Sequence, residues 1–130
     1  DLYRRIALIR TEADADDVLD ELIDRFGEPP DAVTALVRVA LLRGEAGRAG
    51  ITDISQKAGT LRFTLAEFDM ARVSELYARP EYKGRIRVEA GSVPRISLKL
   101  PPKARVLDEA SRFAEAWAST DKNENANQGG

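Results

Sequence analysis

Along the first third of the chain, apolar residues recur every three or four positions, the period of a helix with one buried face. Leu2, Ile6 and Ile9 share such a face and predict a short helix over "DLYRRIALIR". The pattern breaks from Thr11 to Ala13, then resumes with Val18, Leu19, Leu22, Ile23 and Phe26, which fall within an arc of about 140°. Asp14 is the expected N-cap of this second helix, with Asp17 at its third position as a capping-box partner. Gly27 suits a left-handed residue just past the helix end, and the "EPP" that follows forbids continuation. Pro30 fits the first turn of a third helix, whose apolar line is Val33, Leu36, Val37, Ala40 and Leu41. Gly44 and Gly47 weaken its end and Gly50 closes it.

After Gly50 the period drops to two. Ile51 and Ile54 lead into a turn at Lys57 to Thr60, and Leu61, Phe63 and Leu65 then alternate strictly. This is the pattern of a β-hairpin with Ala58-Gly59 at its turn. Asp69 caps a further helix with Met70, Val73, Leu76 and Tyr77 on its apolar side, and Pro80 follows its end. "GRIRVEAG" and "PRISLKL" are two more alternating strands around Gly91. A last amphipathic helix places Val106, Ala110, Phe113 and Trp117 on one face. The order predicts an α+β fold: N-terminal helices, then a small, mostly antiparallel sheet of two hairpins with a connecting helix and a C-terminal helix. Residues 1–118 are expected to form one domain, and the polar, glycine-ended residues 119–130 a disordered tail.

Composition removes several classes of chemistry. The 130 residues contain neither cysteine nor histidine, so thiol nucleophiles, zinc–thiolate sites and the commonest general base are absent. A net charge of -2 exerts no overall pull toward nucleic acid or an anionic membrane. No apolar run approaches the roughly 20 residues of a membrane span, and no secretory signal is visible. The chain opens without methionine, so we expect a piece of a longer polypeptide.

Charge is unevenly spread, and this is where candidate function lies. From Glu12 to Asp31 there are nine acids against one base, Arg25. Asp17, Asp20, Glu21 and Asp24 fill the side of the second helix opposite its apolar arc. The plain reading is a solvated face; the functional reading is a docking surface for a basic partner. A catalytic pair needs two carboxylates in different environments across a cleft, which one exposed helical face does not offer. "DADD" at 14–17 lacks the glycine and glutamate of a calcium loop, so no metal is expected. Residues 79–105 hold eight bases and two acids. Arg85, Arg87, Arg95 and Lys99 on the predicted strands read first as the wet side of a hairpin. The alternative is an accessory nucleic-acid-binding surface over 85–99, with only Tyr77 and Tyr82 nearby for stacking. Gly44, Gly47 and Gly50 fit neither a phosphate-binding loop nor a dinucleotide fingerprint, and Trp117 belongs to the core face of its helix. No cofactor is implied.

Three strings taken together, "LYRRIA" at 2–7, "ELIDRFGEPP" at 21–30 and "LVRVALLRGEAGRAGI" at 36–51, resemble the C-terminal domain of the bacterial transcription-repair coupling factor family, Mfd. The likeness in order and spacing covers roughly the first 50 residues; residues 51–118 fit in element order alone. The resemblance implies a non-catalytic regulatory domain of a cytoplasmic, ATP-driven DNA translocase that acts on stalled RNA polymerase and DNA. In that family the domain packs on an N-terminal UvrB-like module of the same chain and masks the surface that UvrA binds. Acids of the "ELxDRFG" motif face basic side chains of that module; here they are Glu21 and Asp24, with Asp17 and Asp20 on the same helical side.

Overall fold

The computed structural model describes the backbone of residues 2–129 and the side chains of residues 3–120. The chain forms two compact units, Asp1–Glu45 and Ala46–Gly130.

The first unit is helical. Its helices are α1 (Leu2–Ala7), α2 (Glu12–Phe26) and α3 (Asp31–Arg48), the last running on into the first residues of the second unit. Ile6 and Ile9 pack with Ala15, Val18 and Leu22 of α2 and with Val37 and Ala40 of α3, flanked by the partly buried Leu19, Val33 and Leu41. Leu2, expected on the same face as Ile6, has a side chain outside the described ones.

Three details depart from the sequence expectation. The start of α2 is set by Thr11 rather than Asp14. The Thr11 hydroxyl accepts from the Asp14 N–H at 3.2 Å, and the Asp14 carboxylate accepts from the Thr11 N–H at 3.2 Å, so the two form a full capping box. Asp17 takes no part in it. Second, Pro30 precedes α3 rather than lying in its first turn, and its carbonyl accepts from Val33 and Thr34 N–H at 3.0 and 3.1 Å. Third, Ile23, Phe26 and Leu36 are exposed, although helical spacing put them on the core side. Core contact falls instead on the small Ala15, which has 4% exposure.

The second unit is α+β. Strands β1 (Ile51–Lys57), β2 (Thr60–Leu65), β3 (Ile86–Glu89) and β4 (Arg95–Lys99) form one antiparallel sheet in the order β1-β2-β4-β3. The β1–β2 turn is Ala58-Gly59, with φ of 48° and 77°, the positive values a two-residue hairpin turn requires. Helix α4 (Met70–Tyr77) joins β2 to a short 3-10 helix at Pro80–Tyr82, and α5 (Val106–Gly129) follows β4. Asp69 caps α4 as expected, accepting from Ala71 and Arg72 N–H. Met70 and Tyr77 of α4 are exposed and only Val73 and Leu76 are buried, because an eight-residue helix offers little more than one apolar stripe.

One sheet face carries the core. Leu61, Phe63, Ile96 and Leu98 are buried on it, and so are Ala110, Phe113 and Trp117 of α5. Phe63 and Phe113 stack with centroids 3.9 Å apart, and Tyr82 meets Phe113 edge-on at 5.9 Å. Arg72 of α4 lies 4.2 Å over the Trp117 ring and donates to the Trp117 carbonyl and the Thr120 hydroxyl, both at 2.8 Å. The expected tail falls, from residue 121 on, where side chains lie outside the described ones. Its first two positions, Ser119 and Thr120, belong to α5 and accept hydrogen bonds from Arg79 and Arg72.

Candidate functional site

The exposed surface of α2 is the first unit's most chemically distinct feature. At about 100° per residue, its circumference can be read in order. The buried arc is Val18, Leu22 and Ala15. Next comes an apolar shoulder of Phe26 and Ile23, which are 71% and 53% exposed. Asp16 and Asp20 follow, then Asp24 and Asp17, all exposed. Glu21, Asp14 and Arg25 come last, before the core returns.

The acids are not equivalent. Glu21 is tied to α1 through an ion pair with Arg5, and both side chains remain a little over two-fifths exposed. Asp17 lines a shallow depression with Arg5 and Asp14 beside α1. Asp20 and Asp24 point away from that edge, and neither has an ion pair among the described residues. The helix thus carries four i,i+4 acid pairs, Glu12 with Asp16, Asp16 with Asp20, Asp17 with Glu21 and Asp20 with Asp24, and each like-charge pair destabilises an isolated helix by about 0.2–0.5 kcal/mol. Asp14 differs in kind. The Arg10 backbone N–H donates to its carboxylate at 3.0 Å and holds its carboxyl below the usual range, with the Thr11 N–H and hydroxyl adding to the effect.

Of the four sequence-predicted site residues, the helix brings Asp17, Asp20, Glu21 and Asp24 onto one side, with Glu21 already sharing its charge within the unit. Sequence periodicity missed the adjoining pair Ile23 and Phe26. The available signal was position: Ile23 falls at the edge of the apolar arc, and Phe26, within the arc, is the last residue of the helix before Gly27, whose φ is 77°. The basic residues of the alternative separate as well. Arg85 precedes β3 rather than lying on it, and its side chain is held in the fold: it donates to the carbonyls of Glu81 and Lys99 at 2.9 and 3.1 Å and to the Glu109 carboxylate at 3.1 Å. Arg95 faces Glu89 at 3.9 Å. Arg87 and Lys99 are exposed.

The model of the TRCF domain matches residues 1–76, more than half of the chain. The chain belongs to the TRCF domain family. The transcription-repair-coupling factors of Mycobacterium bovis and Mycobacterium tuberculosis are each 29% identical over 117 residues, covering 87% of this chain and 10% of the relative. That of Escherichia coli is 40% identical over 63 residues, 47% of this chain and 6% of the relative. The chain therefore spans about a tenth or less of the length of these curated relatives. A crystal structure of the C-terminal domain of transcription-repair coupling factor superposes with a TM-score of 0.78 at 18% identity, over 94% of this chain and 80% of that one. This TRCF domain thus has the expected α+β fold, and "LYRRIA", "ELIDRFGEPP" and most of its helical and first-hairpin sequence lie inside the matched segment. Among its described residues, no helix is long and apolar enough to cross a membrane.

Proposed function

We propose that this TRCF domain is a non-catalytic, autoinhibitory lid of a cytoplasmic transcription-repair coupling factor. In this reading residues 1–118 act as one regulatory domain followed by a tail. The domain packs on the N-terminal UvrB-like module of its parent, an ATP-driven translocase that acts on RNA polymerase and DNA, and masks the surface UvrA binds. The observation that carries the reading is the outer side of α2: Asp20 and Asp24, without an ion pair among the described residues, on the same helix as exposed Ile23 and Phe26. Acids confer partner choice and encounter rate, while an apolar pair at their edge supplies contact area. Burying one large apolar side chain contributes about 1.5–3 kcal/mol, and an exposed ion pair up to about 1 kcal/mol. Glu21 shares its charge between Arg5 and the partner, while Asp20 and Asp24 supply the free charge.

Such a surface suits a contact that must release. Covalent linkage to the module raises effective concentration, so a weak interface stays closed until something else engages the partner. The test is calorimetric binding of this chain to the UvrB-like module of its own parent, with UvrA as competitor. Asp20→Arg with Asp24→Arg should weaken binding at least tenfold, Phe26→Ala should weaken it severalfold, and both proteins should retain their circular dichroism. UvrA should displace the wild-type chain. Wild-type affinity in the double variant, or a ternary complex with UvrA, would overturn the reading.

A further inference from the structure

The sheet of the second unit has a second face, and its composition is unlike that of an ordinary wet face. Directly paired residues of antiparallel strands lie on the same face. The register therefore places Ser55, Arg62, Ser97 and Arg87 in one row across all four strands. The next row is Lys57, Thr60 and Lys99. Lys57, Arg62, Arg87 and Lys99 are exposed, and none has an ion pair among the described residues. These two rows contain no carboxylate. Acids are confined to the row at the far end, where Asp53 and Glu89 flank Thr64 and Arg95. A solvated sheet face normally sets opposite charges across from one another; here Lys57, Arg62, Arg87 and Lys99 line one shallow concavity, with Glu89 of the far row the one carboxylate among its lining residues. Sequence reading found Arg87 and Lys99 but missed Lys57 and Arg62, because only the β2–β4 pairing joins the first hairpin to the second.

We propose that this open face binds the sugar–phosphate backbone of nucleic acid, with Arg62 and Arg87 as its principal contacts and Lys57 and Lys99 beside them. Within each row the two cations stand two strands apart, about 9.5 Å, and the rows are about 7 Å apart along the strands. That grid lets each cation reach a different phosphate, and hydroxyls at Ser55, Thr60 and Ser97 lie between them as further donors. The rows have no aromatic or large aliphatic side chain. A face without apolar anchors lacks the core that protein interfaces need, and one without stacking platforms reads no bases. Both absences favour a backbone contact, insensitive to sequence, over an acidic protein. The proposal stands apart from the lid reading, which concerns α2.

The test is fluorescence anisotropy of a labelled 30-base-pair duplex of mixed sequence with the full chain. Four neutralised phosphates give a slope of about -3.6 in log affinity against log salt, so affinity should fall on the order of 100-fold between 50 and 200 mM salt. Arg62→Glu with Arg87→Glu should lower affinity at 50 mM at least tenfold, and Arg62→Lys with Arg87→Lys should stay within about threefold of wild type. Circular dichroism should be unchanged in both. No binding at 25 mM salt, or wild-type binding by the glutamate variant, overturns the proposal. So does displacement of the duplex by poly-glutamate as readily as by unlabelled duplex at equal charge, which would make the face a site for acidic protein.

Discussion

Gly44 and Gly47 look alike in the sequence, two glycines near the end of one helix, and they have opposite roles. Each costs about 1 kcal/mol relative to alanine in a helix interior. A Cβ at Gly44 would stand 2.6 Å from the Arg10 carbonyl oxygen and 3.0 Å from its Cα, whereas at Gly47 nothing lies within 4 Å. Gly44 is therefore where α3 passes against the link between α1 and α2, and its missing side chain permits the approach. Backbone cannot yield there as a flexible side chain would. Gly44→Ala should destabilise the chain by about 1–3 kcal/mol, reversing the usual gain from removing a helical glycine. Gly47→Ala should stabilise it by up to about 1 kcal/mol. Urea unfolding of the two variants checks both signs. No periodicity argument separates the pair, because the difference resides in a neighbour distant in sequence.

At the scale of elements, the short 3-10 helix after α4 brings Tyr82 to 3% exposure, edge-on to Phe113 beneath the sheet. Burial raises its phenol above the ordinary value, and the nearby charges of Glu81 and Glu109 add to the rise. An unfolded tyrosine titrates near pH 10. The folded state therefore holds the proton over a range in which the unfolded state has lost it. Stability from this group is complete below about pH 10 and declines as pH rises from there through the folded value. Tyr82→Phe keeps the ring contact and removes the titration, so its melting temperature should fall less steeply than that of wild type above about pH 10. Equal slopes for the two proteins would contradict this. Elements as such were largely legible in the sequence. The hairpin at Ala58-Gly59, the Asp69 cap and the Phe113–Trp117 face all follow from period and turn chemistry. Less legible were the ends and the exposed stripes. Thr11 outcompetes Asp14 as cap because their reciprocal hydrogen bonds satisfy two N–H groups at once, and Ile23 and Phe26, in the last turn of α2, stay exposed while the cluster is formed by Ala15, Val18 and Leu22.

Across the whole molecule, charge is sorted by unit. The sequence of Asp1–Glu45 has eleven acids and six bases; that of Ala46–Gly130 has fourteen bases and eleven acids. The net charge of -2 thus conceals two surfaces of opposite sign, one on a helix side and one on a sheet face. The helix side was visible in a contiguous run of sequence, and the sheet face needed the strand order, since its four cations come from both hairpins. If the two surfaces are separate sites, charge reversals should dissociate their activities. Arg62→Glu with Arg87→Glu should leave affinity for the UvrB-like module within about twofold. Asp20→Arg with Asp24→Arg should weaken module binding at least tenfold and retain duplex binding. At low salt it should bind the duplex somewhat more tightly, because replacing two negative charges by two positive ones improves long-range attraction for a polyanion. That gain should fade above about 0.15 M salt, where the screening length is about 8 Å. Measuring both affinities for both variants at 25 and 200 mM salt checks the four expectations together. Loss of both activities in either variant, with circular dichroism intact, would mean the two charge clusters serve one shared interface rather than two.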